Sequence, residues 1–293
     1  MPPVDVQYMK TIVYLYASRE NAVKDSEFVA TGFLVSVPAS STLDSFIYLV
    51  TNWHVLKHCS WTIFARFGRK GGGTVCVRVP RARWSVDPSS DLAVAAINVP
   101  EKADHAHIPI EDFLTKEKIG KHKIGPGDEV FLISRMVMPT KQTKGNFAIV
   151  RFGNVAMNPN VHEPYFLVEL RSMGGHSGSP VLVYDLPYHW ESVRKHDESF
   201  RLFLLGINCG HVRDYSPIIG IMNGKKIQNR KWLSQEHTSI AEAQPVWKLM
   251  PLLNSKKFVA ARKKAEAEAR EQLARGSLVY DLACRAERSG DKC

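Results

Sequence analysis

The chain has 293 residues, 44% of them hydrophobic, and a formal net charge of +10. This length and composition predict one large domain or two small ones with a real core, and they argue against wholesale disorder. The positive charge suits acidic partners such as nucleic acid or anionic lipid, but we favour a plain excess of surface lysine and arginine.

Cysteine use and hydropathy indicate the compartment. The five cysteines contain no Cys-x-x-Cys pair, which fits a reducing compartment better than a disulfide framework. No apolar run reaches about 18 residues, so we expect no membrane-spanning helix and no membrane partner. Near the N-terminus, "TIVYLYA" predicts a strand better than a signal peptide. We therefore expect a cytoplasmic protein.

Short β-like runs separated by turn residues dominate the chain, and their spacing predicts an all-β barrel or sandwich. The first set of runs comprises Thr11–Ala17, Phe28–Val37, Phe46–Thr51, Trp61–Phe67, Thr74–Val79 and Leu92–Ile97. The second set comprises Glu129–Ser134, Phe147–Phe152, Tyr165–Leu170, Val181–Tyr184, Arg201–Asn208 and Ser239–Ala243. The polar stretch Asp104–Gly127 carries no strong strand signal and predicts the join between the two sets.

The last part of the chain changes to a helical pattern. "AQPVWKLMPLLNS" predicts a helix from Pro245, because proline suits the first turn. "KKFVAARKKAEAEAREQLARG" predicts an alanine-rich helix with Gly276 as its C-cap. Its apolar face is narrow, so we expect a solvated helix that leans on the domain. The tail 255–293 is also a candidate surface for a partner protein.

The stretch "GGHSGSP" carries a candidate nucleophile. Ser177 follows Gly175 by two residues and directly precedes Gly178. Glycine permits the unusual dihedral angles of a tight loop, and the N–H groups of Gly175 and Ser177 can point to one spot and bind an oxyanion. Ser179 is the rival hydroxyl, but Ser177 rather than a glycine stands two residues before it. Alone the signal is weak, because Gly-x-Ser-Gly also occurs in ordinary turns.

A nucleophilic serine also needs a base and a carboxylate that orients the base. In "FIYLVTNWHVLKH", His54 follows an apolar strand, where a lone histidine is more often structural. Asp91 directly precedes the apolar run "LAVAAI", so its carboxylate lies against the core and needs a partner. A solvent-facing turn is the alternative interpretation of Asp91, and Asp87 is the alternative acid.

Five segments in order resemble the chymotrypsin-like serine protease family. They are "ATGFLVSV", "VTNWHVL", "SDLAVAAI", "GGHSGSPVL" and "LLGINCG", within about Thr11–Asn254. The resemblance implies an all-β fold with two six-stranded antiparallel β-barrels, at about 11–103 and 128–254. These barrels would form a trypsin-like peptidase unit at 1–254, followed by the helical, charged tail.

The resemblance also implies a site and a reaction. Ser177 would be the nucleophile, His54 the general base and Asp91 the group that holds the imidazole, as in the Ser-His-Asp template. The N–H groups of Gly175 and Ser177 would form the oxyanion hole. The implied activity is that of a serine endopeptidase, which hydrolyses peptide bonds through an acyl-enzyme and needs no cofactor. The partner would be a peptide or protein substrate.

The chain departs from the secreted members of that family at His176. Those members carry an aspartate there, which pairs with a new N-terminus after cleavage, so we expect no zymogen activation of that kind. The secreted members' paired cysteines are also missing from this sequence. Both features are similar to those of bacterial and viral trypsin-like peptidases.

The resemblance places Arg171 at the base of the substrate pocket, which does not support cleavage after lysine or arginine. Pointing inward, Arg171 would favour an acidic side chain through a bidentate pair. Pointing outward, which is commoner for an arginine on such a loop, it leaves the pocket to a set of five residues. These are Ser172, Asn208, Cys209, Gly210 and His211. An insertion, Asp185–Arg201, precedes the pocket wall.

Metal chemistry is a poor alternative. His54 and His58 have the i,i+4 spacing of a zinc site, but Val55 stands where the metalloprotease motif needs glutamate. His105 and His107 are too few to hold a metal alone. We therefore expect no metal.

A catalytically silent protease fold that binds an acidic partner or nucleic acid is the second class of function. The basic stretch 66–83 would serve it, but no aromatic residue follows Phe67 there to stack on bases. Since all three triad positions are filled, we favour a peptidase and do not expect nucleic acid as a partner.

Overall fold

A computed structural model describes residues 4–40, 45–135, 145–159, 164–184, 202–222 and 225–290. Their structure is mostly β, with 46% strand and 25% helix. All twelve runs that the sequence predicts as strands overlap a strand of the structure. The mostly β character is therefore confirmed.

The first half forms a curled, largely antiparallel sheet. Its strands are β1 (Ile12–Tyr16), β2 (Phe28–Pro38), β3 (Ser45–Asn52), β4 (Ile63–Arg69), β5 (Thr74–Val79), β6 (Trp84–Asp87), β7 (Leu92–Ala96), β8 (Ala103–Asp104) and β9 (Ile108–Pro109). Seven strands lie in the order β5-β4-β1-β2-β3-β7-β6, while β8 pairs with β4 and β9 pairs with β2. The β2–β9 pairing is parallel.

The second half is a closed antiparallel barrel of six strands. They are β10 (Glu129–Arg135), β11 (Ala148–Val155), β12 (Phe166–Glu169), β13 (Pro180–Tyr184), β14 (Leu202–Met222) and β15 (Lys225–Pro245). The order around the barrel is β10-β11-β12-β15-β14-β13. The prediction of a six-stranded barrel is therefore confirmed for the second half. The first half differs from the prediction, because it has three additional short strands and its described strands form an open sheet.

The helices are short except for the last one. They are α1 (Val6–Met9), α2 (Arg19–Lys24), α3 (Trp53–His58), α4 (Lys116–Lys121), α5 (Leu249–Leu253) and α6 (Lys256–Gly290). The prediction that a helix ends at Gly276 is wrong, because α6 continues through it. A glycine inside a helix costs only about 1 kcal/mol relative to alanine, and good helix formers follow it in the sequence.

The start of α6 is anchored to the first sheet. The buried ring of Phe258 lies 5.0 Å from that of Tyr48, and a guanidinium N–H of Arg262 donates to the Tyr48 hydroxyl (2.9 Å). Farther along, the Glu266 carboxylate accepts from the backbone N–H and hydroxyl of Ser40. These contacts agree with a helix that leans on the domain. In the part of the chain described, no helix combines the length and apolar character needed to cross a membrane.

Strand β1 explains how sheet and barrel share a core. Every residue of β1 is buried, because successive side chains point to opposite faces and both faces are covered. Val13 and Leu15 belong to the core inside the first sheet. Ile12, Tyr14 and Tyr16 belong to a larger core that also contains the side chains of the barrel.

A buried ionic cluster joins the two halves. The Asp25 carboxylate, only 2% exposed, contacts a guanidinium nitrogen of Arg66 on β4 (3.0 Å) and one of Arg135 on β10 (2.6 Å). The Tyr16 hydroxyl donates to the same carboxylate. Burial, followed by the hydrogen bond to Asp25, raises the pKa of Tyr16. The cluster therefore fixes the barrel against the first sheet through charged groups removed from water.

Candidate active site

The junction between β3 and α3 places His54. The backbone N–H of Trp53 and the side-chain amide of Asn52 both donate to the Asp91 carbonyl, at 3.0 and 3.1 Å. Asn52 also pairs with Leu92 in the β3–β7 register. The first turn of α3 is therefore held against the residue that precedes β7, and His54 lies on that turn.

The Asp91 carboxylate contacts His54 at two points. One oxygen accepts from the backbone N–H of His54 (2.9 Å), and the other lies 2.7 Å from the imidazole Nδ1. Asp91 has a left-handed backbone (φ 53°), which lets it turn back onto the helix start. An ionised carboxylate only accepts hydrogen bonds, so Nδ1 carries a proton, and in the neutral ring Nε2 then presents a lone pair. The arrangement suits His54 for the role of a proton acceptor.

Asp87, the alternative acid, is engaged elsewhere. One carboxylate oxygen accepts from the backbone N–H and hydroxyl of Ser89, and the other accepts from the hydroxyl of Ser90. These bonds close a local turn between β6 and β7. The geometry thus favours Asp91 over Asp87 as the partner of His54.

The loop between β12 and β13 carries both candidate serines. Ser177 is half-buried, whereas Ser179 is completely buried, so of the two hydroxyls that of Ser179 is withdrawn from solvent. Gly178 has φ 81°, and a Cβ there would lie 2.2 Å from the Thr31 carbonyl oxygen and 2.4 Å from Thr51 Oγ1. Only glycine fits, because a side chain would meet both atoms at impossible distances.

Thr31 on β2 fastens this loop to the sheet that carries the histidine. Its backbone N–H donates to the Ser177 carbonyl (3.0 Å), and its hydroxyl donates to the Gly175 carbonyl (2.9 Å). The Thr31 carbonyl in turn accepts from the hydroxyl of Thr51, at 2.9 Å. Thr51 precedes His54 by three residues, so the serine loop and the histidine turn converge through Thr31. Thr31 was not predicted from the sequence, where its one signal is that it is a polar residue within an apolar strand.

The serine loop leaves some of its backbone N–H groups without an internal acceptor. Those of His176 and Ser179 donate to the carbonyls of Met173 and His176, and that of Gly178 donates to the Asn208 carbonyl. Among the described residues, the N–H groups of Gly175 and Ser177 have no acceptor. Two unengaged donors in one rigid loop are what an oxyanion hole requires.

His176 stabilises the loop from within. Its side chain is fully buried, and its Nδ1 accepts from the backbone N–H of Met173 (3.2 Å), while its own backbone N–H donates to the Met173 carbonyl (3.0 Å). This reciprocal pair closes the turn that contains Gly175, which has φ 90°. In this loop, the His176 imidazole therefore orders the turn through its bond to the Met173 backbone.

The residues predicted to line a pocket separate into two groups. Arg171 is exposed. Ser172 and Asn208 are buried, and the Asn208 amide donates to the Ser172 hydroxyl (3.2 Å) and to the His176 carbonyl (3.0 Å). Strand β14 is thereby tied to the serine loop. The insertion at 185–201 lies outside the described residues.

Cys209, Gly210 and His211 are half-buried on β14. The Cys209 thiol donates to the Glu242 carbonyl (3.3 Å). Burial, and then the nearby carboxylates of Asp91 and Glu242, raise the pKa of Cys209 to about 12. Cys209 is therefore a protonated thiol at neutral pH and not a competing nucleophile.

The other candidate groups do not gather into a site. The rings of His54 and His58 meet edge to face with centroids 6.3 Å apart, and His105 Nδ1 lies 3.2 Å from the Ala103 carbonyl. Within the described ranges, no three His, Cys, Asp or Glu residues cluster as metal ligands. Cys59, Cys76 and Cys209 are free thiols.

A scan against protein-family models finds no matching family, and a search of curated proteins finds no match. Any assignment of function therefore rests on the residues and contacts described above.

Proposed function

We propose that the protein is a serine endopeptidase with Ser177 as nucleophile, His54 as general base and Asp91 as the acid that orients the base. The observation that carries the proposal is the two-point contact between Asp91 and His54, on a turn joined through Thr31 to the loop of Ser177. The curled sheet would then correspond to the first barrel of a chymotrypsin-like fold.

The proposed reaction is acyl transfer to Ser177. As Ser177 Oγ attacks the peptide carbonyl carbon, Nε2 of His54 takes the hydroxyl proton, and Asp91 stabilises the resulting imidazolium. The N–H groups of Gly175 and Ser177 bind the carbonyl oxygen as it becomes negative. Nε2 then gives its proton to the leaving amine, and water hydrolyses the acyl-enzyme by the same route. Loss of one oxyanion donor typically costs about 2.7–4 kcal/mol of transition-state stabilisation.

The exposure of the site supports a macromolecular substrate. The side chains of His54 and Asp91 remain 35% and 27% exposed, and Ser177 is half-buried. An extended peptide therefore has direct access to the reacting groups. The free thiols are compatible with the cytoplasmic location expected from the sequence.

A fluorophosphonate probe tests the nucleophile directly, because it reacts only with an activated serine. The native protein should be labelled, and Ser177→Ala should not. Ser179→Ala is the matched control and should keep its labelling. His54→Ala should lower peptide hydrolysis by several orders of magnitude. Labelling that survives Ser177→Ala would refute the assignment.

The same measurements also test the alternative function, a catalytically silent binding module. That alternative predicts neither labelling nor hydrolysis in the native protein. It also predicts nucleic-acid binding whose affinity falls steeply as salt rises, because phosphate contacts release counterions.

A further inference from the structure

Asn208, on β14, makes four hydrogen bonds with the serine loop. Its backbone N–H donates to the Ser179 carbonyl (2.9 Å), and its own carbonyl accepts from the backbone N–H of Gly178 (2.8 Å). Its side-chain NH₂ donates to the His176 carbonyl (3.0 Å) and to the Ser172 hydroxyl (3.2 Å). One residue of the barrel therefore holds the loop on both sides of the proposed nucleophile.

The Asn208 side chain is a polar group in an apolar part of β14. Leu204, Leu205 and Ile207 belong to the core, and Asn208 is only 1% exposed. Among the described residues, its amide oxygen has no hydrogen-bond partner. Such an unpaired buried oxygen destabilises a folded protein, so packing alone does not account for an asparagine at this position. What the side chain contributes is its pair of N–H donors.

The bond to the His176 carbonyl sets the direction of the Ser177 N–H. The two groups belong to the same peptide bond, which is planar and trans, so the C=O and the N–H point in opposite directions. The buried amide of Asn208 holds the carbonyl toward the interior. The Ser177 N–H is thereby turned away from the Asn208 amide, and no described residue accepts its hydrogen.

The turn itself supplies one restraint on this peptide bond, and Asn208 adds another from outside the loop. The backbone N–H of Ser179 also donates to the His176 carbonyl (3.1 Å), which closes the turn locally. A local bond of this kind moves with the loop, whereas Asn208 is fixed in the closed barrel through its pairing with Ala243 on β15. The amide therefore couples the direction of the Ser177 N–H to the barrel.

We propose that Asn208 is a positioning residue for catalysis, whose amide orients the peptide bond between His176 and Ser177 so that the Ser177 N–H faces the oxyanion. This inference rests on the proposed function. It replaces the expectation that Asn208 lines the substrate pocket, because its side chain is buried and bonded to the loop. An oxyanion binds such a donor more strongly than the ground-state carbonyl does, so a misdirected N–H lowers kcat more than it raises KM.

Asn208→Leu tests the orienting role, because leucine has nearly the same shape and no donor. Peptide hydrolysis should show a kcat about 10- to 100-fold lower, since complete loss of an oxyanion donor costs about 10²- to 10³-fold. KM should change by less than about threefold. Asn208→Ala is the second variant and should show the same division between kcat and KM. Unchanged kcat in both variants would overturn the inference.

The neighbouring core residue Ile207 provides the matched structural control. Ile207→Val should lower the midpoint of urea unfolding, because it removes a buried methyl group, and should keep the native kcat. Asn208→Leu also removes the unpaired oxygen, so its unfolding midpoint should lie close to that of the native protein. A kcat that falls only in proportion to the unfolding midpoint, in both Ile207→Val and Asn208→Leu, would leave Asn208 a structural role and overturn the inference.

A peptide aldehyde reports on the oxyanion site itself. Ser177 Oγ adds to the aldehyde carbon, and the former carbonyl oxygen of the hemiacetal then occupies the oxyanion site. The inhibition constant should rise at least about tenfold in Asn208→Leu, whereas binding of the corresponding peptide to Ser177→Ala should change less than about threefold when Asn208→Leu is added. Equal aldehyde affinity with fluorophosphonate labelling of the native protein would overturn this inference alone. A native protein with no labelling and no hydrolysis would overturn the proposed function as well.

Discussion

Asp91→Asn isolates the role of the carboxylate, because it changes one atom without changing the shape of the side chain. Asparagine offers one oxygen and one NH₂ group where Asp91 has two acceptors. The backbone N–H of His54 can only donate, so the amide oxygen must face it and the NH₂ must face Nδ1. Nδ1 then has to accept, the ring proton moves to Nε2, and Nε2 can no longer take a proton from Ser177.

The expected effect on catalysis is large and the effect on folding is small. The wrong tautomer should lower kcat by about 10⁴-fold, which is about 5.4 kcal/mol at 1.36 kcal/mol per factor of ten. Stability should fall by only about 1 kcal/mol, because one hydrogen bond of a partly exposed side chain changes from charged to neutral. The melting temperature should drop by about 2–4 °C.

Peptide hydrolysis and thermal unfolding, measured on the same preparation, check both values. Asp87→Asn provides the control, since Asp87 accepts only from Ser89 and Ser90 in its own turn. It should keep full activity. A loss below tenfold in Asp91→Asn, or an equal loss in Asp87→Asn, would refute the argument that Asp91 sets the tautomer.

Three further predictions concern the scaffold. Gly178→Ala forces a Cβ to within 2.2 Å of the Thr31 carbonyl oxygen at a positive φ. Fluorophosphonate labelling should therefore disappear, and the free energy of unfolding, measured with urea, should fall by about 3 kcal/mol or more. Retained labelling would contradict the loop geometry. Asp25→Asn removes the carboxylate that two arginines share. It should lower the free energy of unfolding by about 3–5 kcal/mol in the same assay. A loss below about 1 kcal/mol would show that the ionic cluster contributes little to stability. Cys209 has a pKa of about 12, so only about 10⁻⁴ of it is thiolate at pH 8 and it should resist a thiol reagent there. Peptide mapping after alkylation measures its modification. Rapid modification in the folded protein would contradict its burial.

The sequence was most informative where chemistry and strand pattern coincide. His54 and Asp91 were predicted because His54 follows one apolar run and Asp91 directly precedes another, where a polar side chain is both fixed and in need of a partner. Twelve strand positions followed from alternating or continuous apolar runs. Strands β6, β8 and β9 were not predicted, because a run of two to four residues is too short to show the alternation of apolar and polar residues that marks a strand.

The features that the sequence did not predict depend on pairing between residues far apart in the chain. The sequence suggests strands at 201–208 and 239–243, but β14 and β15 each extend over 21 residues, because cross-strand bonds carry the ladder past glycine and proline. The contacts of Asn208 with the serine loop depend on such long-range pairing, so the sequence predicted Asn208 as a pocket residue instead. Thr31 was similarly hidden, since its partners lie 144 and 146 positions away along the chain.

The Thr31 bonds mean that both halves of the molecule hold the serine loop in place. The loop belongs to the barrel by sequence, yet its carbonyls are held by the curled sheet. Two fragments produced separately by cutting the chain within 104–127 would leave the loop without its bonds to Thr31, and these bonds would return only when the fragments reassociate.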